Sequence, residues 1–292
     1  MNNKKLDDGS KSKLATEKEN AKIKATRNSE KKSNQDKIQL LIKGLSDKNG
    51  LVRRSYAEEL GKIGKAALPE LINALLKSKN VIQRRAAAKT LKLVKEPSAL
   101  PHLIQALTND SDPVVQCSAA GAIAIFGEAA VNPLIIVLEN QKHTEMQHGL
   151  AAWCLGFIGS NAPNAIKKAA QSKNTKVKSA AISALEDHIR ESKDQEAIQL
   201  VKNSINDSDE NVQIEAIKLV GKLYKIESLI TILLTKLKSK SIDIRKASVL
   251  SLMQLNFKEA LNQLKEILKV EQDQDVKKII ELAINKIDKE NT

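Results

Sequence analysis

One tryptophan, two tyrosines and three phenylalanines are all the aromatic side chains in a chain of 292 residues. Sheet-rich cores draw on aromatic and β-branched residues and need frequent turns, yet glycines number only 11 and prolines 6. A β architecture is therefore excluded in favour of helix. No apolar run of about 18 residues occurs, so no transmembrane helix is expected. The lysine-rich N-terminus has no apolar stretch of the kind a secretory signal carries. Two cysteines, Cys117 and Cys154, are too few for a disulfide framework at this length and fit a reducing compartment. The expected address is the cytoplasm.

Catalytic and metal-binding motifs are missing as well. The four histidines, His102, His143, His148 and His188, form neither an HExxH motif nor a His-Glu dipeptide. Zinc and di-iron sites need ligands at such spacings, so no metal is expected. There is no GxGxxG and no GxxxxGKS/T phosphate loop. His148 and Cys154 lie six residues apart, on opposite sides of a helix, so no activated thiolate is expected from them. No catalytic residue is assigned and no cofactor is required.

What the chain does have is lysine. Lys outnumbers Arg 41 to 7, and the net charge is +13. The lysines are spread along the whole chain, whereas nucleic-acid readers usually concentrate Arg and interleave aromatics for stacking. A nucleic-acid partner is not the expectation. The excess suits solubility and acidic protein surfaces instead.

The chain also repeats itself. The block VRRSYAEELGKIG (Val52–Gly64) has seven relatives, among them VQCSAAGAIAIFG (Val115–Gly127), QHGLAAWCLGFIG (Gln147–Gly159) and VKKIIELAINKID (Val276–Asp288), spaced by 30 to 35 residues. First, fifth, ninth and twelfth positions are mostly apolar and form one helical stripe. A second apolar helix such as ALPELINALL precedes each block, and polar turns such as NDSDP supply Ser and Asp for N-caps. Pro69, Pro101 and Pro133 are placed early in their helices. The whole predicts an all-α, HEAT-type α-solenoid of about eight helix pairs over residues 36–292, in which neighbours bury each other's stripes. Residues 1–35 lack that period and are rich in charge, and are expected to be a disordered basic tail. The weakest joint is expected around RESKDQ (Arg190–Gln195), where the spacing stretches to 35.

If those stripes face the core, the third, seventh and eleventh positions face away, toward the concave side. Most such triplets are polar or mixed, for example Arg54, Glu58 and Lys62. Blocks three and four differ, placing Ile125, Trp153 and Phe157 outward beside Gly121 and Gly149. An apolar patch rimmed by charge marks a binding site. Glycine on an exposed helix face lowers stability, and a closely approaching ligand or partner gives it a reason. The alternative is that both aromatics tuck against the neighbouring helix, since large aromatics are usually mostly buried. Arg54 and Arg85, on the same turn of successive blocks, form an expected basic cluster suited to carboxylates. Arg53 and Arg84 are expected to bond the turn before them.

The runs VVQCSAAGAIAIFGEAAVNPLIIVL and GLAAWCLGFIG resemble the phycobilisome-lyase HEAT-like repeat family. The likeness in repeat form extends over residues 37–288, and its sharper point is AAWxLG at Ala151, Ala152, Trp153, Leu155 and Gly156. That family includes E/F-type bilin lyases, chaperone-like phycoerythrin biogenesis factors and phycobilisome-degradation factors. E-type lyases carry a similar AAWWLG helix, usually with preceding tyrosines. Here Cys154 replaces the second Trp, and Gly149 and Leu150 precede it. The resemblance implies a protein handling phycobiliproteins or other tetrapyrrole-bearing antenna proteins in phycobilisome assembly or turnover, and the departures lean toward the chaperone or degradation branch. It implies a bilin or other linear tetrapyrrole as ligand, with Arg54 and Arg85 pairing with its propionates or with acidic antenna surface. The implied partners are an antenna subunit and a second HEAT-repeat subunit. The alternatives are a bilin lyase attaching or removing the chromophore, and a generic helical-repeat scaffold.

Overall fold

The computed structural model describes residues 32–223 and 226–289, and all regular structure among them is helical. Two compact units divide between Ala99 and Leu100. The first unit holds α1 (32–44), α2 (Gly50–Ile63), α3 (Leu68–Lys77) and α4 (Val81–Val94). The second opens with the pairs α5 (Leu100–Asn109) and α6 (Pro113–Ile123), α7 (Glu128–Glu139) and α8 (Glu145–Ile158), and α9 (Pro163–Ala169) and α10 (Thr175–Ala184). After a short α11 (Glu186–Ser192) come α12 (Gln195–Ser204) and α13 (Glu210–Lys222), α14 (Glu227–Lys236) and α15 (Ile242–Gln254), and α16 (Leu261–Val270) and α17 (Gln274–Lys289). Within each unit, successive second helices of the pairs pack side by side.

Local chemistry sets these boundaries. Asn49, Asn80, Asp112, Thr144, Asn174, Asp209 and Ser241 each cap a second helix by accepting from its first free N–H groups. Thr144 and Gln147 close a full capping box on α8. In five blocks the side chain one position in then latches the turn behind it. Arg53 donates to the carbonyls of Asp47 and Lys48, Arg84 to Ser78, Gln116 to Asp110, Gln213 to Asp207 and Arg245 to Ser239. The stripe falls where the periodicity puts it: Gln147, Ala151, Leu155 and Ile158 of α8 are buried, as are Val212, Ala216, Val220 and Leu223 of the α13 block.

Three expectations need correction. Residues 1–31 of the expected tail lie outside the described residues, but 32–35 belong to α1, where Gln35 Nε2 donates to Glu70 Oε1 of α3 at 2.9 Å. Pro133 is not at the start of its helix, because α7 begins at Glu128 and the proline lies inside it. The fifth block does not run as one helix. Its helix ends at Ala184, and the end of the block folds with the residues after it as α11.

That joint is also firmly tied. Asp194 caps α12 through the N–H groups of Glu196 and Ala197, and accepts from Lys167 Nζ at 3.0 Å and His188 Nε2 at 2.9 Å. The His188 and Lys167 hydrogen bonds hold its carboxyl well below the usual carboxylate range.

Candidate functional site

A cleft of about 740 Å³ runs across α8, α10 and α13 of the second unit. Its apolar wall is the outward stripe of α8. Trp153 is 47% and Phe157 63% exposed, and the two rings stack at 4.7 Å between centroids with their planes tilted by 49°. They point away from the core that Ala151, Leu155 and Ile158 fill, so the packed alternative is not what the chain adopts. Gly149 and Gly156 line the same wall, and a Cβ at either would meet nothing within 4 Å. Neither glycine is demanded by the packing of the protein.

The opposite wall is small and polar. Ser179 and Ser183 of α10 and Asn211 and Glu215 of α13 line it. The Ser179 hydroxyl is buried and has no hydrogen-bond partner, which is uncommon and asks for an explanation. Lys176 and Glu145 close one end. Lys176 Nζ donates to Glu145 Oε1 at 2.7 Å and to His148 Nδ1 at 2.8 Å. The Lys176 hydrogen bond lowers the Glu145 carboxyl from its ordinary value. His148 Nε2 lies 3.1 Å from the Asn140 carbonyl, which can only accept, so the proton belongs on Nε2 and Nδ1 is left to accept from Lys176. At the other end Lys222 Nζ donates to Glu186 Oε2 of α11 at 2.9 Å.

Of the residues singled out in the sequence, Gly149, Trp153 and Phe157 come together in the cleft. Gly121 and Ile125 sit on α6 and the 3-10 turn after it, partly exposed and outside the cleft lining. Arg54 and Arg85 lie on the neighbouring helices α2 and α4 of the first unit, and Arg54 Nε donates to Glu58 Oε1 at 2.7 Å. Cys154 is buried, its thiol donates to the Ala120 carbonyl at 3.3 Å, and burial pushes the thiol up to about 12. It presents no thiolate. The serines of α10 escaped notice because small polar side chains read as plain solvent face. The usable signal is a triplet of Ser179, Ser183 and Asp187 directly following the triplet that holds both outward aromatics.

An alanine at Gly149 gains helix propensity in open space and fills the cleft. Gly149→Ala should raise stability by about 0.5–1 kcal/mol, read by urea titration followed with circular dichroism. A destabilised variant would show that the space beside Trp153 is not open.

The model for HEAT repeats matches residues 68–149 and 198–285, more than half of the chain. Over 255 residues the chain is 42% identical to "Bilin biosynthesis protein MpeU" of Synechococcus sp. (strain WH8020), spanning 87% of this chain and 86% of that protein. The chain belongs to the phycobilisome-lyase HEAT-like repeat family. The span of this HEAT-like protein left between the two matched stretches carries Trp153, Phe157 and α9–α11. Among solved structures, the Kap95:Nup1 complex matches 87% of the HEAT-like chain and 41% of its own, with 17% identity and a TM-score of 0.52, a likeness of fold. The complex of CpcE and CpcF of phycocyanin lyase from Nostoc sp. PCC7120 matches 86% of this chain and 94% of its own, with 19% identity and a TM-score of 0.35. No group of three or more potential metal ligands occurs among the described residues of this family member. No helix among them is long and apolar enough to cross a membrane.

Proposed function

We propose that this chain is a cytoplasmic bilin- and phycobiliprotein-handling protein and that the cleft on α8, α10 and α13 receives the bilin. The observation that carries the reading is the exposed Trp153–Phe157 stack set beside Gly149 and Gly156. A linear tetrapyrrole is flat and conjugated, so it gains from an aromatic face and from a wall without side chains. A volume of about 740 Å³ suits a small-molecule or cofactor site. Lys176 and Lys222 line the cleft and offer cations to the bilin's propionates. The 42% identity to a protein named for bilin biosynthesis supports the same reading. Cys154 is buried and offers the bilin no thiolate, so the role read here is to hold and present it. The partners are an antenna subunit and a second HEAT-repeat subunit.

Trp153 is the only tryptophan in the chain, so its fluorescence reports on this site alone. Titration with phycocyanobilin or phycoerythrobilin should quench it saturably. Phe157→Ala should weaken binding about 2–10-fold, the worth of one aromatic contact. Wild-type protein should retain pigmented antenna subunits from cyanobacterial lysate, and a folded Trp153→Glu variant should lose them. Absence of quenching by either bilin, together with equal recovery by both baits, would overturn the reading.

A further inference from the structure

The carboxylates are spread evenly along the chain, but the basic residues are not. Residues 1–99 hold 24 Lys and Arg against 11 Asp and Glu, whereas residues 100–292 hold 24 of each. The entire +13 therefore belongs to the N-terminal third, and the unit that carries the cleft is neutral. Within the described part of the first unit, 32–99, the count is 15 against 6.

Part of this excess is gathered on one surface. α2 and α4 pack against each other, with Leu93 of α4 at 3.0 Å from where a Cβ of Gly61 would stand. Their outward stripes thus run side by side, Arg54, Glu58 and Lys62 next to Arg85, Lys89 and Leu93. Arg54 pairs with Glu58, and Lys62 donates to Glu59 at 2.6 Å. Lys89 and Lys92, both exposed on α4, have no carboxylate within ion-pair distance among the described residues.

We infer that the face of α2 and α4 is an electrostatic docking surface for an acidic protein surface, with Lys89 and Lys92 as its free cations. The inference rests on the proposed antenna-protein partner, to which it adds a second and separate contact. A phosphate backbone is a poorer match, because Glu58 interrupts the stripe, Glu59 adjoins it and no exposed aromatic among the described residues lies beside it for stacking. A protein surface of mixed sign with an acidic excess fits both the lysines and the interruptions. Exposed lysines of this kind act over about a Debye length and raise the rate of encounter more than the lifetime of the complex. The cleft would set the lifetime.

The test is the association of the full chain with purified phycobiliprotein, followed by stopped flow at low and high salt. Lys89→Glu with Lys92→Glu should slow association about tenfold at roughly 20 mM salt. The dissociation rate should stay unchanged, and the effect should vanish at about 0.5 M salt. Lys238→Glu with Lys240→Glu, the same charge change on the second unit, should slow it far less. Lys89→Arg with Lys92→Arg should behave as wild type. Association that is independent of salt, or slowed equally by both reversals, overturns the docking surface while leaving the antenna partner standing. Wild-type protein that fails to bind phycobiliprotein overturns both. Competition by duplex DNA at equal concentration of charge makes the surface a nucleic-acid site and overturns the acidic-protein assignment.

Discussion

Glu271→Ala should destabilise the C-terminal helix pairs by about 3–5 kcal/mol, the usual cost of removing one partner from a buried ion pair. Arg245 Nε and Nη2 donate to the two carboxylate oxygens of Glu271 at 2.8 and 2.9 Å, and both side chains are largely shielded from water. The carboxylate also accepts from the N–H groups of Gln272 and Asp273. Without it, the guanidinium keeps only the Ser239 and Lys240 carbonyls. In an array where each pair touches its neighbours alone, the loss should be local. Hydrogen exchange should therefore speed up in α15–α17 and stay unchanged in α6–α8. Uniform exchange across both regions would show that the second unit unfolds as one block.

The same pair sets a pH dependence of known sign. Burial raises the Glu271 carboxyl, but the Arg245 hydrogen bonds and the backbone N–H groups outweigh it, and the net direction is downward from the ordinary 4.5. A carboxyl depressed on folding contributes stability that is fully present above its unfolded value and is lost as pH falls through the folded one. The wild type should lose this contribution below about pH 4.5. Thermal melts taken as a function of pH should show a flatter acid limb for Glu271→Gln than for the wild type.

Gly159→Ala should cost at least the upper part of the about 1–3 kcal/mol typical of overpacking. A Cβ at Gly159 would stand 2.0 Å from the Ala184 carbonyl oxygen and 3.1 Å from its carbon. Both are backbone atoms at the end of α10, so no rotamer change relieves the clash, and the helices must separate. The contrast with Gly149→Ala, ten residues earlier and stabilising, makes a controlled pair for urea titration. Equal stability of Gly159→Ala and wild type would mean that α8 and α10 do not approach so closely.

These glycines show where sequence reasoning stops. Gly121, Gly149, Gly156 and Gly159 look alike in the chain, yet three face open space and one is pressed on a neighbouring backbone. Spacing assigns a residue to a face, and which neighbour that face meets depends on the angle between helices. The repeat period, the buried stripe, the turn-latching Arg53 and Arg84 and the outward stance of Trp153 were all legible, because each follows from one helix and its cap. Gly121 and Ile125 are partly exposed and lie outside the lining of the cleft. The cleft opens from Trp153 toward α10 and α13 rather than toward α6, which no single helix's spacing reveals. Pro133 was misjudged because the Gly127 turn, with φ of 56°, lets α7 begin five residues before the proline.

The short helix α11 changes what kind of object the second unit is. An array of identical repeats has translational symmetry, and a ligand sliding along it meets the same environment at every step. The break within the fifth block interrupts that symmetry, and Glu186 of α11, paired with Lys222, closes one end of the cleft. A break within one block thus suffices to set one stretch of a periodic array apart from the rest.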